Sequence, residues 1–207
     1  TKFDRFDINI GAYLNYNSDY NWEVFPGIDI GFQATENLRL TVNSGTSQRI
    51  PTFTDLYLNQ RPGNIGNPDL KSESAWQNEI GLQYNRNKFT FQTGYFYRDI
   101  NRFIDWQRAS TDVPYQAQNL GNNKTHGIYS NLGYKTAIAT EQHMMFNLAY
   151  TYLNPSIINH YKNTIIKYGI ESLKHQAQAT LSYAFREWSI TSANRWLERS
   201  SSNSYCV

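Results

Sequence analysis

The chain has 207 residues, a formal net charge of +2 and 15% aromatic residues, with 16 Tyr and 5 Trp. That length allows one large domain or two small ones, and the near-neutral charge gives no reason to expect nucleic acid as a partner. No run of about 18 apolar residues occurs, which excludes a transmembrane helix, and the lone Cys206 cannot form an internal disulfide. Nothing after Thr1 resembles a secretory leader, so the chain is expected to begin inside a longer protein.

From Asp7 to Asn17 the sequence alternates with period two. Ile8, Ile10, Ala12, Leu14 and Tyr16 fall on one face, and Asp7, Asn9, Gly11, Tyr13 and Asn15 on the other. After a polar turn at Ser18 to Asn21, Ile28, Ile30 and Phe32 oppose Asp29, Gly31 and Gln33. Past a tight turn at Glu36, Leu38, Leu40 and Val42 oppose Arg39, Thr41 and Asn43. Proline and glycine then interrupt the pattern between Arg49 and Lys71, which predicts a long ordered loop. Alternation resumes at Trp76, Ile80, Leu82 and Tyr84, turns at Arg86, and continues through Phe89, Phe91, Thr93, Tyr95 and Tyr97. A second long loop is expected over 101–124. Strands at Ile128 to Tyr134 and Met144 to Tyr152 follow, with a short turn near Ala139. A third long loop is expected over 154–174, then strands at Ala177 to Tyr183 and Trp188 to Trp196 around a turn at Arg186.

Nine strands of about 9 to 11 residues, each able to cross a bilayer at a tilt, are therefore expected. Short connections at Glu36, Arg86, Ala139 and Arg186 are read as alternating with long ones elsewhere. The second face is polar and rich in glycine, and aromatics crowd the strand ends. This pattern predicts an all-β, antiparallel transmembrane β-barrel segment, apolar outside and polar within. A soluble β-sandwich also alternates, but it explains neither the turn lengths nor the polar second face.

Two boxes in the first loop, QRIPTFTDLY and GNPDLKSES, resemble the pair found in TonB-dependent outer-membrane receptors. The later elements GYFYRDINRFIDW and QNLGNNKTHGI are similar to the same family. Ser72 departs from it, standing where the family usually has proline in the second box. The resemblance implies a 22-stranded barrel around an N-terminal plug. Residues 1–207 would then be a partial barrel domain, without the plug and the last strands. It also implies uptake of a scarce nutrient, cobalamin or a ferric siderophore, energised by the TonB complex through the N-terminal part. Outer-membrane lipid and a surface lipoprotein are further partners the resemblance implies. A passive porin or adhesin on the same wall is the alternative. Ile104, Asp105 and Trp106, with Arg98 and Arg102 nearby, look like the vitamin B12 receptors of the family, whereas haem receptors usually carry a histidine between the boxes and none lies between Arg49 and Leu70.

His126, His143, His160 and His175 lack metal-ligand spacing. No nucleophile-elbow motif accompanies His126 and Ser130, so hydrolase chemistry is not expected and no cofactor is called for. Lumen residues such as Asp29, Arg39 and Glu79 are expected to hydrogen-bond the plug. Specificity is expected on the outer loops, which carry function on a rigid scaffold. The ligand-binding candidates are Tyr57, Asn59, Arg61 and Asn64 on the first loop, Arg108 and Tyr115 on the second, and Tyr161 and Lys162 on the third. Asn, Gln and Tyr outnumber Arg and Lys there, which favours cobalamin over an anionic siderophore. An odd count of nine strands further predicts an open, curved sheet whose first and ninth strands are not paired to each other.

Overall fold

The computed structural model describes residues 2–158, 164–167 and 173–199. Nine long strands are its frame: β2 (Phe6–Asn17), β3 (Asn21–Gln33), β4 (Leu38–Arg49), β7 (Glu73–Arg86), β8 (Phe89–Asn101), β11 (Asn122–Ala139), β12 (Gln142–Ile158), β14 (Leu173–Phe185) and β15 (Trp188–Arg199). A two-residue β1 (Lys2–Phe3) folds onto β2. The rest is short: α1 (Phe53–Tyr57), β5 (Asn59–Gln60), β6 (Asn64–Ile65), β9 (Ile104–Arg108), β10 (Tyr115–Asn119) and β13 (Ile165–Ile166).

The long strands form one antiparallel meander in the order β1-β2-β3-β4-β7-β8-β11-β12-β14-β15. Among the described residues β15 pairs only with β14, so the sheet is open, as the odd strand count predicts. The register keeps the two faces apart across the sheet. Ile8, Ile30, Val42, Ile80, Tyr95, Ile128 and Tyr152 are successive cross-strand partners on one face. Asp29, Asn43, Glu79 and Phe96 are successive partners on the other. Leu40 and Ile80 both fall in the apolar phase and are exposed. With period-two geometry, a one-residue slip would reverse every one of these assignments.

The polar face is built around close approaches. A Cβ on Gly94 would meet the Tyr129 ring at 2.6 Å, and one on Gly127 would strike the Phe96 ring. The glycines thus let large lumen-face side chains lie flat along the wall. Tyr129 Oη, so placed, donates to Glu79 Oε1 at 2.6 Å, and Arg39 donates to Asp7 at 2.8 Å. Aromatic pairs mark both strand ends on the apolar face: Tyr16 with Trp22 at the loop end, Tyr84 with Phe89 at the turn end.

Three expectations need correction. The long strands have 12 to 18 residues rather than 9 to 11. At roughly 3.3 Å per residue they are about 40–60 Å long, so they outrun a hydrocarbon layer of about 30 Å and carry pairing up into what reads as loop. Lys124 and Asp99, 3.9 Å apart, sit in that extension, which is why charges appear there in the apolar phase. Second, the connection from β2 to β3 is a tight turn of three residues, closed by Asn21 at a φ of 64°, so the short-long alternation begins only after β4. Third, the three long connections, expected as loops, contain paired strands. They supply the strands of a second, five-stranded sheet, in the order β13-β9-β10-β6-β5.

Candidate functional site

The first loop is shaped by its own boxes. Pro51 and Thr52 open α1, where Thr52 Oγ1 accepts from Asp55 N at 3.1 Å and Asp55 Oδ2 accepts from Thr52 N at 3.0 Å, a capping box. The same Asp55 oxygen accepts from Arg49 Nη2 at 2.9 Å. Arg49 Nη1 reaches 2.7 Å to Glu73 Oε1, at the start of β7. Asp55 and Glu73 side chains are each only 8% exposed, and the one guanidinium bridges both, with backbone and hydroxyl donors from Thr52 and Ile104 satisfying the remaining charge. Glu73 Oε1 also accepts the backbone N–H of Ile104 in the second loop at 2.7 Å. Ser72, the departure from the family pattern, is buried and takes a 2.7 Å bond from Gln48 Nε2, which a proline could not offer.

A second clasp closes on the QNLG element. Asn119 Nδ2 donates to Lys71 O and Arg102 O, both at 2.8 Å, and its Oδ1 accepts from Lys71 N at 2.8 Å. Between the clasps lies a small core of Leu70, Ile104, Trp106 and Ala117, flanked by Leu56, Leu58 and Tyr115. Tyr20, from the β2–β3 turn, reaches Leu70 O at 3.4 Å. Its phenol pKa is raised, first by burial and then by Asp19 and Tyr57.

The loop sheet has two unlike faces, set by its register. Ile104, Trp106 and Arg108 share one with Asn64, Tyr115, Ala117 and Asn119. Here Arg108 lies 4.4 Å from the centre of the Tyr115 ring, and Lys167 Nζ lies 5.4 Å from it. Lys167 Nζ also donates to Asn64 Oδ1 at 3.0 Å. The other face carries Asp105, Gln107, Gln116 and Gln118, with Asn59 in register beyond Ile65. Gln107 Oε1 accepts from Thr164 Oγ1 at 3.1 Å, and Gln118 Nε2 donates to Gln116 Oε1 at 2.9 Å. An open hollow of about 430 Å³ lies against this face, with Arg61 and Arg108 among its lining.

The candidates from sequence therefore divide. Asn64, Arg108 and Tyr115 converge from two loops; Arg61 lines the hollow and Asn59 shares its face. Tyr57 stands apart on α1, its ring tilted against Phe53 with centroids 5.0 Å apart, and is 57% exposed. Tyr161 and Lys162, like His160, lie outside the described residues. Sequence reasoning missed Gln107, Gln116, Gln118, Thr164 and Lys167. The signal was present in Tyr115-Gln116-Ala117-Gln118, a strict alternation inside a segment read as loop. His126 and His175 take no part: each pairs through Nδ1 with a tyrosine on the wall, His126 with Tyr95 at 2.5 Å and His175 with Tyr150 at 2.8 Å.

An open antiparallel wall with an apolar and a polar face, capped at one end by interlocked loops, defines the class: part of a transmembrane β-barrel. The chain belongs to the family described as TonB dependent receptor-like, beta-barrel, whose profile matches residues 1–205. The vitamin B12 transporter BtuB of Photobacterium profundum is 24% identical over 179 residues, covering 85% of this chain and 27% of that protein. BtuB of one Vibrio vulnificus strain is 32% identical over 79 residues, 38% of this chain and 12% of that one. Among solved structures, the FrpB iron transporter of Neisseria meningitidis superposes with a TM-score of 0.70 at 18% identity, over 95% of this chain and 32% of that one. A point mutant of the ferric enterobactin receptor of Pseudomonas aeruginosa in complex with enterobactin gives 0.68 at 16% identity, over 94% and 31%. At such identities these structures speak for the fold. The chain spans about a quarter of the first curated relative it matches.

Proposed function

We propose that this chain is the wall and outer-loop part of an outer-membrane receptor that takes up a corrinoid of the vitamin B12 type, energised by the TonB complex. Ferric siderophore uptake is the second reading within the same class. The observation that carries the corrinoid reading is the chemistry of the loop sheet. Its second face is set with amide side chains; Arg61 and Arg108 edge the hollow there, but the Arg108 guanidinium, like Lys167, is turned onto the Tyr115 ring. An anionic ferric siderophore calls for several cations converging on it. A corrinoid is large, amphipathic and rimmed with carboxamides, and it suits polar and aromatic contacts. The curated relatives, named as vitamin B12 transporters, support the same choice. A passive pore gains nothing from loops clasped at this cost in ordered residues.

The test uses cells that carry the full receptor with Tyr57, Asn59 and Arg61 all changed to Ala. Growth limited by cobalamin is expected to fall, while growth limited by iron stays at the unmodified level. Unchanged uptake of both nutrients would remove the first loop from the ligand site. Loss of ferric siderophore uptake alone would move the reading to the second ligand class.

A further inference from the structure

We propose that the amide face of the loop sheet is the surface that reads the ligand, and that it reads carboxamides: Gln116 and Gln118 make the contacts, and Gln107, Thr164 and Arg61 shape the hollow around them. This rests on the uptake reading above and narrows it to one face and one recognised group.

The geometry favours this face over its opposite. The side bearing Ile104, Trp106 and Ala117 is committed to packing, since these side chains are buried in the loop core with Leu70. The opposite side presents primary amides on neighbouring strands. Gln116 lies across from Gln107, and Gln118 lies two residues on, on the same face of β10. A primary amide offers two donors and an acceptor, so a pair of them matches a carboxamide in both senses. Gln118 Nε2 is already turned to Gln116 Oε1 at 2.9 Å, which leaves the Gln118 oxygen and the Gln116 NH2 group for a ligand. Behind them the Gln107 oxygen is held by Thr164 at 3.1 Å. Amides oriented before binding lose less rotamer freedom when ligand arrives.

Charge argues in the same direction. Asp105, on this face, is only 2% exposed and therefore presents no open carboxylate. Of the cations, Arg108 is engaged by the Tyr115 ring and by Thr111 O at 3.3 Å, and Lys167 by Asn64. Arg61 stands at the hollow as a further donor, beside Arg108, whose guanidinium is held by Tyr115 and Thr111 O. A volume of about 430 Å³ is too small for a whole corrinoid and ample for one edge of it with its amide arms.

The experiment is equilibrium binding of cyanocobalamin to the purified full receptor, beside its b-, d- and e-monocarboxylic acids, in each of which one propionamide has become a carboxylate. The unmodified receptor is expected to bind cyanocobalamin and to reject at least one of the three acids by tenfold or more. The Gln116→Leu, Gln118→Leu double variant is expected to bind cyanocobalamin at least tenfold more weakly and to lose that discrimination. Limited proteolysis of the outer loops verifies that they remain folded. Should the pair disturb them, Gln116→Met alone serves, since Gln116 is exposed and outside the core. Full affinity and full discrimination in folded variants would overturn the assignment of this face. Absence of cyanocobalamin binding by the unmodified receptor would instead overturn the corrinoid reading itself.

Discussion

The wall and the loop cap solve the burial problem in opposite ways. Every large apolar side chain that is buried among the described residues, Leu70, Ile104, Trp106 and Leu120, lies in the loops. The wall exposes its own: Ile10 is 78% exposed, Ile80 62% and Ile190 70%. Lipid is the solvent for the wall, so its apolar residues need no protein partner. The loops stand in water and must build a core of their own, pinned by buried polar groups. Stability in the wall therefore comes from backbone pairing and phase. In the cap it comes from packing and a few charged clasps. The same substitution should have different consequences in the two regions.

The largest effect is expected in the cap. Trp106→Ala empties the loop core and should cost the cap about 3–5 kcal/mol, seen as protease cleavage in the second loop while the wall stays intact. In the wall, Ile80→Arg places a charge on the lipid face and should cost about 2–4 kcal/mol if it lies near the midplane, measured as loss of folded protein in bilayer refolding. Ile80→Ala, by contrast, leaves no cavity because lipid fills the space, and should cost only the lost transfer from water to lipid, about 1–2 kcal/mol; a loss as large as that of Trp106→Ala would break the comparison. Gly94→Val forces the Tyr129 ring off the lumen face and costs about 1–3 kcal/mol, read from the same refolding assay, with Tyr129→Ala in the same chain restoring most of the loss.

The smallest effect concerns Tyr20. Its pKa is raised in the folded chain, so its contribution is complete below the ordinary phenol value of 10.0 and is lost as pH rises through the folded value. The contact it makes with Leu70 O is long, and Tyr20→Phe should cost no more than about 1 kcal/mol. Protease protection of the first loop should fall above pH 10 in the unmodified receptor and show no such step in Tyr20→Phe.

The wall was legible in the sequence because period two is a direct consequence of strand geometry. Ile8 to Tyr16 and Phe89 to Tyr97 announce both the strands and their facing. Register followed from the same alternation, since a slip would carry Arg39 and Glu79 into lipid. The cap was legible only in part. Pro51, Gly66 and Pro68 mark the first loop as irregular, yet β5, β6 and β13 have two residues each, too short for any periodic signal. Their pairing partners lie in other loops, so no local pattern records them. The Arg49, Asp55 and Glu73 clasp was hidden for a related reason: its residues lie in the boxes, but their joining depends on how the loop folds back. The structure gives Arg49, Asp55, Ser72 and Glu73 of the two boxes to the framework of the cap.

The outer loops form one body, joined through Glu73 to Ile104 and governed by Arg49. Hydrogen exchange on the full receptor, unmodified and with Arg49→Ala, tests it directly. Removing the guanidinium leaves two nearly buried carboxylates without their shared cation, held only by Thr52 and the Ile104 N–H, at a cost of about 2–3 kcal/mol. Faster exchange is predicted in the first loop and, with it, in β9 and β10 of the second, while β3, β7 and β8 below the cap remain protected. Faster exchange confined to residues 50–72, with Ile104–Asn119 unchanged, would contradict the account.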